Sequence, residues 1–353
     1  MSRNLVPLTV SASLLASAAW ADVPRVAADI APVHSLVSRV MQGMGEPDLI
    51  IPPGATPHEY SLRPSEAAAL QHSELVFWIG PDLTPWMEDA IETLASGAKI
   101  TPLMEVDGAV TLPFRESALF EAHSHADEDH DHNHDEDHDH EDEHSKHDDH
   151  NHEDASKADD HGHAEDHADH DDHGHGDRDD HAHGQHDPHS WLSLRNGSVW
   201  LNAIAAKLSE ADPENAGTYY SNAAAAREEL DTLRTEIDEI LDPVRGRNFI
   251  VFHDAYQYFE TSFDLPASGA ISLSDATDPS PARIAEIQER IKEQGISCVL
   301  SEPQFDPKIV AAVMDGAEAK TGVLDPVGSD LEPGPDLYSS VLRNLARALA
   351  DCL

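Results

Sequence analysis

Short apolar runs alternate with segments of helical spacing along the first part of the chain. RVAADI (25–30), DLIIP (48–52), LVFWIG (75–80) and KITPL (99–103) read as strands, and HSLVSRVMQGM, PSEAAALQHSE and WMEDAIETLA between them repeat apolar residues at helical intervals. Strands that alternate with helices predict a parallel sheet covered on both faces. After Asp212 the text changes to PENAGTYYSNAAAAREELDTLRTEIDEILDPV, in which Leu230, Leu233, Ile237, Ile240 and Leu241 recur at helical spacing. Pro213 suits a first turn and Pro243 a stop, so one long helix is expected.

Alternation then resumes. NFIVFH, SCVLSE and the end of a strand at VLDP are separated by the helical patterns AYQYFETSF, SPARIAEIQERIKEQG and DPKIVAAVMDGAEAKTG, and DLYSSVLRNLARALADC closes the chain as a last helix. Ser280 is placed as an N-cap and Gly295 follows the end of its helix. The expected fold is therefore α/β, with two doubly wound parallel-sheet lobes joined by one long rigid helix. The expected boundaries are 22–211 for the first lobe, 212–243 for the linking helix and 244–353 for the second lobe. A single helical link differs from the flexible strands that let other two-lobe proteins hinge widely.

Composition alters this picture at three places. The first is the N-terminus, where Arg3 precedes an apolar run and small residues flank Trp20, as in a secretory signal peptide (1–21) cleaved before Asp22. A membrane anchor is the alternative, but the run is shorter than the ~20 residues a spanning helix needs and is diluted by Ser and Thr. Export, to the periplasm of a bacterial cell, is the expectation. The second is cysteine: Cys298 and Cys352 are the only two. In an oxidising compartment one disulfide follows, pinning the last helix to the strand that holds Cys298, with two separate buried thiols as the alternative.

The third is charge. The formal net charge is −46, and the segment from Glu121 to Asp187 carries 27 acids against Lys146, Lys157 and Arg178, which accounts for −24 and leaves −22 for the rest. That balance argues against nucleic acid and anionic membranes and favours divalent cations as partners. Within the segment, residues 123–186 hold 20 of the 25 histidines, in runs such as HADEDHDHNHDEDHDHEDEH. Imidazole and carboxylate bind divalent metals, but a stretch so poor in apolar residues has no core with which to fix a geometry, and a disordered loop is expected.

Outside it remain His34, His58, His72, His189 and His253. His34 begins a helix and His72 lies within one, so both read as surface or helix-terminal residues. The other three sit in loops at strand ends or helix starts: His58 in PPGATPHEY, His189 in HDPHSW, His253 at the end of NFIVFH. Open α/β sheets place ligands at such strand ends. Three neutral imidazoles and one carboxylate, Asp325 in GVLDPVG or Glu59, would make a tetrahedral N3O set suited to zinc.

The motifs GATPHEY, DPHSW after a His/Asp-rich insertion, FHDAY, SEPQF and TGVLDPVG resemble, in order and over essentially the whole mature chain, the zinc-specific solute-binding proteins of bacterial ABC importers (the cluster A-I group). The resemblance implies that His58, His189 and His253 hold one zinc ion between two lobes, with the fourth position filled by a carboxylate (Glu59 or Asp325) or water. Manganese-binding members carry a carboxylate where His253 stands, so the histidine leans towards zinc. It also implies the pairing of Cys298 with Cys352, a membrane permease as partner, a periplasmic location and no enzymatic role; a monomer is expected. The insertion here is longer than is usual in that group, so only its position carries over.

Tethered beside His189, the His-rich run would raise local metal concentration for the adjacent site. It reads as an accessory zinc collector, sensor or buffer, against the plainer reading of a solvated acidic linker. A metal-storage protein is one rival function. A zinc hydrolase is the other, and HEYSL lacks the second helical histidine of HExxH.

Overall fold

A computed structural model of the chain describes residues 23–115, 117, 120, 186–272 and 279–353; the expected signal peptide and the His-rich segment lie outside the described residues. Strand β1 (Val26–Ala28), helix α1 (Ala31–Val40), β2 (Asp48–Leu49), α2 (Pro64–His72), β3 (Leu75–Trp78), α3 (Pro85–Leu94) and β4 (Lys99–Pro102) form a parallel sheet in the order β2-β1-β3-β4. Helices α4 (Leu194–Ala211) and α5 (Ala216–Leu241) follow. Strand β5 (Phe249–His253), α6 (Gln257–Phe263), β6 (Gly269–Ser272), α7 (Pro281–Glu293), β7 (Cys298–Ser301), α8 (Pro307–Val313) and β8 (Lys320–Val323) repeat the same topology in a second parallel sheet, β6-β5-β7-β8, and α9 (Leu337–Cys352) ends the chain.

The expected α/β architecture is present, with α5 carrying the chain from the first sheet to the second. Its buried residues Tyr219, Ala223, Ala226, Leu230, Leu233, Ile237 and Leu241 recur every three or four positions, one stripe facing α1, α4 and α9. Each large apolar side chain in such a stripe stabilises the fold by roughly 1.5–3 kcal/mol. The same core continues into both sheets. In β5 the period of two is explicit: Phe249 and Val251 join this core, while Ile250 and Phe252 face a smaller one beneath α7 and α8. His253, two residues after Val251, falls on the side of the central helices.

Cys298 and Cys352 are bonded, with their Cα atoms 5.8 Å apart. The bridge fastens the start of β7 to the last turn of α9, and by loop-closure entropy it contributes about 4 kcal/mol. Ser280 caps α7 as expected, its hydroxyl accepting from the Arg283 amide at 3.2 Å.

Several expectations are corrected. The run LPASGAIS was given no strand, yet Gly269–Ser272 form β6; a glycine and two alanines hide a strand buried on both faces. KTG was placed in a helix and belongs to β8, because α8 stops at Val313 and Gly316 turns the chain at φ +73°. The long helix starts at Ala216, Pro213 occupying a separate short turn. His34 is not a surface residue: it is buried, its Nε2 3.0 Å from the Pro47 carbonyl, and burial pushes its pKa down. His72 is exposed and ends α2, with Nδ1 2.6 Å from the Ala68 carbonyl.

Candidate metal site

In each sheet the strand order reverses at its centre, between β1 and β3 and between β5 and β7, and ligands of open α/β sheets bind outside the carboxyl ends of such strands. His253 is the last residue of β5 and Glu302 the first after β7. They meet there: His253 Nδ1 lies 2.7 Å from Glu302 Oε1, and both residues are about 95% buried. His189 ends the loop that leads into α4. Its Nδ1 is 2.8 Å from Asp187 Oδ1, and the same oxygen accepts the His189 amide at 3.0 Å.

Each carboxylate thus turns its imidazole so that the other nitrogen points inward. The two inward atoms, Nε2 of His189 and Nε2 of His253, are 3.3 Å apart. With a proton on each Nδ1, held by its carboxylate, both inward nitrogens present lone pairs to each other. In that tautomer the pair is poised to take a cation between the two nitrogens. Tetrahedral bonds of ~2.0–2.1 Å to zinc separate two nitrogen ligands by about 3.3 Å, so the spacing suits that ion.

His58 comes from the Pro/Gly-rich loop after β2 and is half-buried, its ring centroid 5.5 Å from that of His189. Among the described residues no group of three or more donors is already closed into a metal shell. Two imidazoles are preset and the third stands beside them on a loop. The three line a cavity of about 20 Å³ together with Trp191, Glu302 and Phe305. That space suffices for one ion or water. The aromatic walls are near: Trp191 is 5.4 Å from the His189 ring, and Phe305 5.6 Å from the His253 ring.

Neither expected carboxylate lines this cavity. Glu59 is exposed on the His58 loop. Asp325 accepts the amides of Val327 (3.2 Å), Gly328 (2.9 Å) and Ser329 (2.6 Å), which folds the turn whose Pro326 and Val327 form part of the cavity wall. The acidic groups at the site are instead Asp187 and Glu302, with Asp254 and Glu260 behind them, and Arg115 is the cation placed among them. Burial pushes Asp187 and Asp254 up to about 7. Sequence reasoning quoted DPHSW and SEPQF without giving their acids a role. A carboxylate two residues before a candidate ligand histidine was the signal available for Asp187; nothing local announced that Glu302 would meet His253.

Residues 26–352 match the family model for zinc-uptake complex component A, periplasmic (ZnuA). The chain is 44% identical over 355 residues to the high-affinity zinc uptake system protein ZnuA of Brucella abortus (strain 2308), covering 99% of both chains. It is 42% identical to the protein of the same name from Paracoccus denitrificans (strain Pd 1222), covering 95% of this chain and 93% of that one. Among solved structures, a ZnuA deletion mutant with zinc bound aligns with a TM-score of 0.66 at 22% identity, over 94% of this chain and 98% of that one. The periplasmic zinc-binding protein TroA of Treponema pallidum also reaches 0.66, at 15% identity, over 93% and 98%.

Proposed function

Since the chain belongs to the family of periplasmic zinc-uptake component A, we propose that it captures one zinc ion on His58, His189 and His253 and hands it to the membrane permease of an ABC importer. The observation that carries the site is the pair of Nε2 atoms 3.3 Å apart, each ring oriented by a buried carboxylate, in a cavity with room for a single ion. Carboxylate–histidine pairing of this kind fixes the tautomer and raises the basicity of the metal-facing nitrogen. With Asp325 spent on its turn, the fourth position falls to Glu59 or to water. An exchangeable fourth ligand suits a protein that must release its cargo.

Residues 1–21 direct export, and the mature chain from Asp22 works as a periplasmic monomer without nucleic-acid partners. Its lobes, 22–211 and 244–353, flank the site, with 212–243 linking them. The His-rich segment 123–186 collects zinc at modest affinity and feeds the site from beside His189. The chain is read as a carrier rather than a catalyst because its family is one of periplasmic zinc uptake.

Isothermal titration with zinc and with manganese, on the mature chain with and without 123–186, tests this. A single tight zinc that survives removal of the segment is expected. Loss of all tight binding with the segment would instead support a storage protein, and equal affinity for manganese would refute the selectivity.

A further inference from the structure

The described residues that flank the His-rich segment in the sequence, 112–115 on one side and 186–187 on the other, are held together beside the candidate metal site. The Asp187 amide donates to the Leu112 carbonyl at 2.8 Å, and Pro113 and His186 form an antiparallel bridge. Tyr258, on α6 of the second lobe, accepts the Leu112 amide and donates to the Asp187 carbonyl, both at 2.9 Å. With its amide nitrogen facing them, Gln257 donates to the Pro113 carbonyl at 3.1 Å and to Asp187 Oδ2 at 3.0 Å.

Arg115, two residues beyond Pro113, completes the attachment. Its Nη1 donates to Asp254 at 2.8 Å and its Nη2 to Glu260 at 2.7 Å. Both acids are buried, and the guanidinium lies 3.9 Å above the Phe120 ring. Asp254 directly follows His253 in the chain, so the residue that grips Asp254 also fixes the backbone from which His253 projects. Arg115 itself lies two residues beyond Pro113, which bridges to His186, the residue before Asp187. One side chain therefore spans from the His189 side of the site to the His253 side.

Resting on the zinc-site reading above, we infer that Arg115 is a positioning residue for the metal site. It is a charged clasp that keeps the two facing imidazoles in register. The planar fork is essential to this role: bidentate contact fixes direction as well as charge, and the point charge of a lysine does not. A merely structural ion pair would act on stability alone.

The test uses the full-length mature chain with less than one equivalent of metal, so that the tightest site fills first. Zinc affinity is measured by competition with a chelator, and Co²⁺ is added separately to read site geometry by its visible absorption. Arg115→Met is expected to weaken the tightest zinc by ~10- to 100-fold, the range for lost groups that orient metal ligands. It should also shift the Co²⁺ bands, and Arg115→Lys should recover part of each effect. A lowered unfolding temperature with unchanged zinc affinity and an unchanged Co²⁺ spectrum overturns the inference. If Arg115→Met does not fold, Arg115→Lys decides alone, since wild-type values for affinity and spectrum in that variant overturn it. His253→Ala separates the two levels: tight binding retained there means the zinc-site reading has failed, whereas its loss beside a silent Arg115→Met means that only the clasp has.

Discussion

Nε2 of His189 and Nε2 of His253 face each other at 3.3 Å, although 64 positions separate them in the chain and each comes from a different half of the fold. Folding has brought together two ring nitrogens that both act as acceptors when each Nδ1 carries the proton, and has placed a carboxylate behind each ring. Such a pair is stable when a cation lies between the nitrogens, so binding energy for a metal is stored in the folded geometry.

Replacing either facing histidine by alanine is therefore expected to weaken the tight zinc site by at least ~10-fold, and His58→Ala should do likewise once its loop has closed on the ion. Competition titrations on protein lacking 123–186 check this. Wild-type affinity in all three variants would sink the assignment.

Glu302→Gln is the subtler change. The amide keeps the shape, but it is a weaker acceptor for His253 Nδ1–H and allows the other tautomer. A loss of ~10- to 100-fold in zinc affinity is expected, with little change in fold. An unaltered affinity would mean that Glu302 serves packing alone.

How far the chain announced all this depends on the residue. That His58, His189 and His253 would line one cavity was legible because strand-end loops are where such sheets bind ligands, and α5 because its stripe repeats over seven turns. Glu302 was not, since its meeting with His253 depends on β5 and β7 being neighbours, a fact of sheet order that no local pattern carries. Arg115 was silent for the same reason: it looks like one more surface cation until Asp254 and Glu260 close around it. Strand β6 was hidden because small residues give a weak strand signal, and the turn that Asp325 folds was not foreseen because a carboxylate after a strand looks alike whether it binds a metal or a turn.

Mass spectrometry of the exported protein under non-reducing conditions should show the loss of two hydrogens for the Cys298–Cys352 bridge. Replacing both by alanine should cost about 4 kcal/mol, read as a lowered denaturant midpoint with zinc affinity kept. Two alkylatable thiols in the native protein would refute the bridge in solution.

Asp29 offers a pH test away from the metal. It is fully buried at the carboxyl end of β1, accepting the amides of Ile30 and Ile79 at 2.7 Å, and burial pushes it up to about 7. A carboxyl raised in the native state stabilises the fold most below its unfolded value of 3.8, and that contribution is lost as pH rises through about 7. Urea unfolding of Asp29→Asn at several pH values should show a flatter decline between those limits than the wild type. Parallel profiles would show that Asp29 ionises freely in the fold.

The last prediction concerns the His-rich segment, whose 20 histidines between 123 and 186 have no apolar neighbours larger than alanine. Free imidazoles titrate near ~6.5 and must be neutral to bind metal, while carboxylates stay ionised well below that. Zinc on the segment should therefore fall away steeply as pH drops through that value. The ordered site is different, because each facing ring is held by a carboxylate and the ion is shielded by Trp191 and Phe305. We expect the full-length chain to bind several zinc ions at about pH 7.5 and to release most of them by about pH 5.5. Without 123–186 the chain should keep one tighter zinc over more of that range. A full-length protein that took up a single zinc under saturating metal would show that the segment is a charged linker, and the site would then have to fill from solution unaided.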